Sequence, residues 1–296
     1  MPAPMPALIS AEELRSLLAT GHADVVLLDC GFDLADTAAG RRAFDAGHLP
    51  GAQYAHLDRD LSGVKTGRNG RHPLPPRDAF AAQVGRWGIG PATRVVTYDA
   101  QGGVYAARAW WLLHWLGHAK AAVLDGGVAA WRAAGGSLGT SAAASRPLPP
   151  YPAQPPLAMP TVDAEALLAS LGRASGSGLG PGRWRVLDAR SPERYRGETE
   201  PLDPVAGRIP GAINRFHREN LQGDGRFKAP PVLRAEFARL GIDGHTAATV
   251  VHQCGSGVTA CHNLLAMVHA GLAGAALYPG SWSEWCADAT RPVERG

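Results

Sequence analysis

Residues 249–269 read TVVHQCGSGVTACHNLLAMVH. The β-branched pair Val250-Val251 is typical of the end of a buried strand, and it leads directly towards Cys254. Small, loop-forming residues follow the cysteine, and an apolar run from Val258 to Val268 predicts a helix. A strand that passes through a tight loop into a helix is the unit from which helix-covered parallel sheets are built. This stretch therefore indicates an α/β fold.

The same series of short motifs occurs twice along the chain. The first series is VVLLD (25–29), GHLPGA (47–52), RVVTYD (94–99) and VLDGG (123–127), followed by Trp131. The second series is RVLD (185–188), GRIPGA (207–212), TVV (249–251) and LYPG (277–280), followed by Trp285. Because the motifs keep their order and nearly the same spacing, they indicate an internal duplication. We expect two tandem domains, each a mainly parallel sheet flanked by helices.

The composition of the segment between the two halves marks their boundary. A chain of 296 residues is long enough for two domains that each bury a core. The predicted domains are residues 1–140 and 161–296, and a linker rich in Pro and Ala joins them at 141–160. Residues 173–182 are rich in Gly and Ser, and this composition predicts a loop within the second domain.

The net charge, the apolar runs and the cysteines of the chain indicate which partners and which cellular compartment to expect. The net charge is only +3 and the arginines are scattered, which argues against a nucleic-acid partner and leaves small anionic substrates open. The chain lacks the long apolar run of a membrane span, and residues 1–9 lack the pattern of a secretory signal. The four cysteines follow no disulfide spacing, so we expect reduced thiols in a cytoplasmic protein with no membrane partner.

Cys254 is the predicted nucleophile. Its loop surrounds the thiol with backbone N–H groups at the positive end of a helix dipole, and both effects favour a thiolate. The first half has Asp99 in the matching position, so only one half carries the thiol. Cys30, Cys261 and Cys286 are expected to be buried thiols, with a redox partnership of Cys261 as the alternative. The spacing of the histidines and cysteines near the loop matches no standard zinc site, so no metal or cofactor is expected.

These motifs resemble those of the two-domain rhodanese-type sulfurtransferases over nearly the whole chain. The Pro-Gly-Ala turns and the Asp-Gly-Gly motif match the family, and the loop CGSGVT (254–259) is similar to its mercaptopyruvate version. The resemblance implies a persulfide on Cys254, formed from a small anionic sulfur donor and discharged to a thiol or to cyanide. It also implies that the loop residues bind the substrate through their N–H groups, namely Gly255, Gly257, Val258 and Thr259. By the same resemblance, Ser256, His72 and Asp58 relay a proton to the leaving group.

Recognition of an anionic donor is assigned to arginines. The resemblance places Arg194 on the donor's carboxylate, a task that suits a planar guanidinium. Arg190 is a second candidate, with a salt bridge that anchors its own loop as the alternative. Where mercaptopyruvate enzymes usually carry another arginine, this chain has Asp203, which would repel an anionic donor unless it faces away. Arg196 or Arg208 could replace the missing cation.

Three other functions are weighed against this one. A cysteine phosphatase needs an arginine that closes the loop, and the chain has Ala260 there. A thiosulfate sulfurtransferase shares the persulfide mechanism, but that version carries two cations where this chain has Gly255 and Ser256. A non-catalytic sulfur-carrier or regulatory module would be marked by loss of the cysteine. The acceptor stays open between a small thiol and a thioredoxin-like protein.

Overall fold

The computed structural model describes residues 5–20, 24–141, 143, 146–157, 159–171 and 184–296. Contacts divide the chain into two compact units. The first comprises Met1–Gly63, Pro75–Leu157 and Leu221–Phe227, and the second comprises Val64–Leu74, Ala158–Asn220 and Lys228–Gly296. Residues 64–74 therefore belong to the second unit although the residues on both sides of them in sequence belong to the first, and the reverse holds for residues 221–227. The predicted limits at 140 and 161 stay a prediction, and the predicted loop at 173–182 lies outside the described residues.

The first unit contains a five-stranded parallel sheet with the order β1-β5-β4-β2-β3. Its strands are β1 (Leu8–Ile9), β2 (Val25–Asp29), β3 (Ala52–Tyr54), β4 (Arg94–Tyr98) and β5 (Ala121–Leu124). Its helices are α1 (Ala11–Ala19), α2 (Ala39–Ala46), α3 (Leu57–Asp60), α4 (Arg77–Arg86), α5 (Ala106–Trp115) and α6 (Gly127–Ala133). The central strands consist largely of buried aliphatic residues, because helices cover a parallel sheet on both faces.

The second unit contains a four-stranded parallel sheet with the order β7-β6-β8-β9. Its strands are β6 (Arg185–Asp188), β7 (Ile213–Asn214), β8 (Val250–Gln253) and β9 (Ala276–Leu277). Its α-helices are α7 (Ala164–Leu171), α8 (Pro192–Arg196), α9 (Pro230–Arg239), α10 (Thr259–His269) and α11 (Ser281–Trp285). Two short 3₁₀ helices, His217–Asn220 and Ala247–Thr249, precede α9 and β8.

The two sheets confirm the predicted duplication. Strands β7, β6, β8 and β9 have the same order as β3, β2, β4 and β5 of the first unit. Thr161 forms a parallel bridge with Leu277, at the place that β1 takes beside β5. The prediction of two α/β units with parallel sheets flanked by helices is therefore confirmed.

Helix α10 and strand β8 fix the position of the cysteine loop. The strand ends at Gln253, and the helix begins at Thr259, one residue later than the sequence predicts. Residues Ala260 to Met267 are all buried, so the helix packs on every side and holds its first turn firmly. Cys254 consequently lies at the carboxyl edge of the sheet, where parallel α/β sheets bind their ligands.

The described part of the Pro-rich segment follows the surface of the first unit. Backbone N–H groups of Leu148, Tyr151 and Gln154 donate to the carbonyls of Gly85, Ala81 and Leu116. These bonds hold a segment that has few backbone donors of its own because it contains several prolines. None of the helices in the described part of the chain has the length and hydropathy that a membrane span requires.

Candidate active site

Cys254 is buried, with 2% of its surface exposed, and its sulfur accepts a hydrogen bond from the loop. The N–H of Gly257 donates to Sγ of Cys254 at 3.2 Å. A donor aimed at sulfur stabilises negative charge there. Gly257 has φ +77°, and a Cβ at this position would lie 2.4 Å from the carbonyl oxygen of Pro279. Only glycine fits this close approach, so the sequence of the loop determines where the N–H points.

The segment that opens α11 fixes the backbone of the cysteine. The N–H of Cys254 donates to Oγ of Ser281 at 3.1 Å, and that hydroxyl donates to the carbonyl of Tyr278 at 3.0 Å. The N–H of Trp282 donates to the carbonyl of Cys254 at 3.0 Å. Ser281 is the one non-glycine residue with positive φ among those described, at +55°. Sequence reasoning missed Ser281, because neither its backbone conformation nor this long-range bond leaves a sequence pattern.

Ser256 and His72 are in direct contact. Oγ of Ser256 and Nδ1 of His72 are 2.7 Å apart, and both residues are buried. His72 belongs to the segment 64–74 of the second unit, where the N–H of Arg71 donates to Oγ of Ser283 at 3.0 Å. Two of the three predicted relay residues therefore meet. Asp58 lies in α3 of the first unit, and its part in the relay stays a prediction.

Two guanidinium groups lie beside Gly255. A Cβ built on Gly255 would be 2.7 Å from Nη2 of Arg71 and 3.4 Å from both Nη atoms of Arg194. Arg194, the predicted donor ligand, lies on α8, whereas Arg71 belongs to the segment that carries His72. Sequence reasoning missed Arg71, although its position next to a candidate relay histidine was a usable signal. The loop glycine leaves the space that these two cations occupy.

Asp203 is paired with both cations. Its carboxylate forms ion pairs with Nη1 of Arg71 and, at 3.4 Å, with Nη2 of Arg194. Arg194 also binds Glu200 at 2.6 Å, and the side chains of Asp203 and Glu200 are each only 3% exposed. Burial raises the pKa of Asp203, and the hydrogen bond from Arg71 opposes that shift. The expected alternatives, a repelling carboxylate or one that faces away, are both replaced by a bridge between two arginines.

The two arginines considered as substitutes for the missing cation have other partners. Arg196 pairs with Glu198 at 2.6 Å, and both side chains are largely exposed. Arg208 pairs with Glu294 and donates to the carbonyl of Gly296. The groups nearest Gly255 are the guanidiniums of Arg71 and Arg194, and neither Arg196 nor Arg208 is among them.

Arg190 has the contacts of a structural anchor. Its guanidinium binds both carboxylate oxygens of Asp188, with Nη2 at 2.7 Å from Oδ2, and donates to the carbonyl of Gly207 at 2.7 Å. It also reaches Glu200 at 3.3 Å and lies over the ring of Trp282 at 4.8 Å. The side chain is 1% exposed, so its donors are directed into the protein. These contacts agree with the loop-anchoring alternative, and they disagree with a role as a direct substrate ligand.

The remaining cysteines and histidines around the loop have separate environments. All four cysteines are free and buried, and Sγ of Cys261 donates to the carbonyl of Gly257 at 3.3 Å. The ring of His252 contacts Sδ of Met267 at 2.9 Å, and burial lowers the pKa of His252 to about 3. His262 contacts Asn220 at 3.2 Å. Within the described ranges, no group of three or more His, Cys, Asp or Glu residues is placed to hold a metal ion.

The matching loop of the first unit is filled by its own carboxylate. Asp99 follows β4 as Cys254 follows β8. Its two oxygens accept from the N–H groups of four residues at 2.8 to 3.0 Å, namely Gln101, Gly103, Tyr105 and Ala106. An anion that is part of the chain therefore occupies the loop that, in the second unit, surrounds a sulfur atom.

The chain is similar to known proteins in both sequence and structure. The model of the rhodanese-like domain matches residues 10–134 and again residues 176–288. A probable 3-mercaptopyruvate sulfurtransferase of Pseudomonas aeruginosa is 45% identical over 291 residues, which cover 98% of both chains. A putative thiosulfate sulfurtransferase of Mycobacterium tuberculosis is 42% identical over 98% of this chain and 97% of its own. The structure of 3-mercaptopyruvate sulfurtransferase from Leishmania major superposes with a TM-score of 0.82 at 28% identity, covering 98% of this chain and 78% of that one.

Proposed function

Because this chain belongs to the rhodanese-like family of sulfurtransferases, we propose that it transfers a sulfane sulfur from 3-mercaptopyruvate to a thiol or cyanide through a persulfide on Cys254. The observation that carries this proposal is the hydrogen bond from Gly257 to the sulfur of Cys254, next to the guanidinium groups of Arg71 and Arg194. In this proposal, the nucleophile and the N–H group that stabilises its charge belong to one loop, and the two cations that bind the carboxylate lie beside it.

The chemistry proceeds in two displacements. The thiolate of Cys254 attacks the sulfur of mercaptopyruvate, a new S–S bond forms, and the C–S bond of the donor breaks. The electron pair of that bond passes to the departing carbon, which leaves as the enolate of pyruvate and takes up a proton. An acceptor thiolate or cyanide then attacks the outer sulfur, and Cys254 leaves as a thiolate again. The loop N–H groups stabilise the anionic sulfur in both steps without a metal.

Ser256 and His72 are proposed to deliver the proton that the enolate requires. Replacing Ser256 by alanine interrupts the contact with His72, and we expect kcat with mercaptopyruvate to fall about a hundredfold. With thiosulfate, whose leaving group is sulfite and needs no proton on carbon, the loss is expected to stay below about fivefold. Steady-state rates with both donors check this prediction. Equal losses with both would show that Ser256 supports the loop in general and relays no proton.

Arg194 is proposed to bind the carboxylate of the donor. Replacing it by alanine removes a charged hydrogen bond, which costs about 1.5–3 kcal/mol, so KM for mercaptopyruvate is expected to rise at least about tenfold. The measurement is KM at fixed cyanide, with Arg196→Ala as the matched control on the same helix, because Arg196 pairs with Glu198 at the surface. A KM for the Arg194 variant equal to that of the control would remove Arg194 from the donor site.

Thiosulfate is the second candidate donor. It is supported by the Mycobacterium tuberculosis relative, which is named a putative thiosulfate sulfurtransferase, and by the presence of two guanidinium groups beside Gly255. The test is steady-state sulfur transfer to cyanide with 3-mercaptopyruvate and thiosulfate as parallel donors. A higher kcat/KM for mercaptopyruvate supports the proposal, and a higher value for thiosulfate contradicts its donor assignment. Failure with both donors would favour a sulfur-carrier or regulatory role.

The acceptor and the compartment belong to the same proposal. Four free cysteines suit a reducing compartment, and we therefore propose the cytoplasm. A thiol acceptor, either a small thiol or a thioredoxin-like protein, completes the cycle by removing the outer sulfur. Neither a nucleic acid nor a membrane surface is proposed as a partner.

A further inference from the structure

Arg71, one of the two cations beside Gly255, belongs to the segment 64–74 and is far in sequence from Asp203, where mercaptopyruvate enzymes usually carry a second arginine. Arg71 presents Nη2 towards Gly255 and Nη1 towards Asp203. Arg194 presents both Nη atoms towards Gly255, and its Nε and Nη2 bind Glu200. One edge of each guanidinium is thus held by a buried carboxylate, and another edge faces the loop that carries the nucleophile.

The charges of this cluster are balanced within the second unit. Arg71, Arg190 and Arg194 are paired with Asp188, Glu200 and Asp203. The three carboxylate side chains are at most 3% exposed, so solvent screens their charges weakly. The donor site therefore offers N–H donors for a carboxylate but little excess positive charge for a second negative charge.

We propose that the Arg71–Asp203–Arg194 bridge sets the donor specificity of the site. In this bridge, Arg71 supplies the second donor-binding cation, and Asp203 holds both guanidiniums in place while offsetting their charge. The bridge thereby favours a monoanionic carboxylate donor over a dianion such as thiosulfate. The inference rests on the proposed function, because it explains how the site of a persulfide-forming enzyme chooses its donor.

The direct test is the variant Asp203→Asn, which keeps the size of the side chain and removes its charge. We expect kcat/KM for thiosulfate to rise about tenfold and that for mercaptopyruvate to rise about threefold or less, so the ratio of the two changes in favour of thiosulfate. The matched control is Glu198→Gln, which makes the same change of charge on an exposed pair of the same segment. A donor ratio in Asp203→Asn within about twofold of that in the control would overturn the inference.

Arg71 gives a second test that does not depend on the folding of the Asp203 variant. Arg71→Ala is expected to raise KM for mercaptopyruvate about tenfold, and Arg71→Lys, which keeps the charge, to recover part of the loss. The side chain of Arg71 is 27% exposed, so its removal leaves the core intact. A KM for Arg71→Ala within about twofold of wild type would contradict a donor-binding role. If the wild type is active, its activity depends on Cys254, and neither the Asp203 variant nor the Arg71 variant changes the kinetics, this inference alone is refuted. If the wild type is inactive with both donors, the proposed function is refuted.

Discussion

The variant Cys254→Ser is expected to lower sulfur transfer at least about a thousandfold while the protein stays folded. An alkoxide does not form at this site at neutral pH, and oxygen is a poor nucleophile towards sulfur, so the first displacement cannot begin. Serine keeps an acceptor for the N–H of Gly257, so the loop retains its bond to the side chain. The measurements are the steady-state rate with mercaptopyruvate and cyanide and the thermal unfolding curve of the same preparation.

Cys261→Ser is the matched control for this prediction. Cys261 is also buried, and its thiol donates to the carbonyl of Gly257, a bond that a serine hydroxyl can make. We expect the control to keep activity within about threefold of wild type. Substantial turnover by Cys254→Ser would show that another group is the nucleophile. A loss in Cys261→Ser as large as that in Cys254→Ser would instead support the redox partnership considered for Cys261.

The second large effect is expected on stability, from Arg190→Met. This change leaves the carboxylate of Asp188 buried without its principal partner, and breaking a buried pair in this way costs about 3–5 kcal/mol. Arg194→Met is the contrast, because Glu200 and Asp203 keep Arg190 and Arg71 as partners when Arg194 is removed. We expect it to cost about 1–2 kcal/mol and to raise KM for the donor. Urea unfolding gives the free energies, and donor titration gives KM.

The free energy of unfolding and KM for the donor together distinguish the roles of Arg190 and Arg194. The expected pattern is a large loss of stability for Arg190→Met and a large rise of KM for Arg194→Met. If Arg190→Met were as stable as wild type and showed the greater rise of KM, Arg190 would be a direct ligand of the donor, and its assignment as an anchor of the loop would be wrong.

The fold and the position of the cysteine loop could be predicted because their signals are local or repeated. Buried strands consist of short aliphatic runs such as Val25–Leu28, and the repeated motifs indicate that one architecture occurs twice. The position of Cys254 follows from a strand that ends next to a glycine-rich loop. Its bond to Gly257 depends on a positive φ that the glycine supplies. Such features need only a few consecutive residues.

The proposed donor-binding surface could be predicted only in part, because it is assembled over long distances in sequence. Arg71 packs in the second unit although the predicted domain limits put it in the first, and nothing in the sequence around Asp203 indicates that Arg71 is its partner. From the sequence alone, Asp203 is expected to repel an anionic donor. In the structure it is buried between two arginines and holds them in place. For Arg190, the sequence could not distinguish a substrate ligand from a loop anchor, because a guanidinium binds a substrate carboxylate and a structural carboxylate equally well.

Whether Cys254 carries the transferred sulfur is measured by the mass of the protein after a short incubation with 3-mercaptopyruvate and no acceptor, followed by peptide mapping. We expect the added mass of one sulfur atom on the peptide that carries Cys254, with one pyruvate released per sulfur bound, and loss of that mass when cyanide is added. Pyruvate release without added sulfur on Cys254, or added sulfur on Cys30, Cys261 or Cys286 instead, would contradict it.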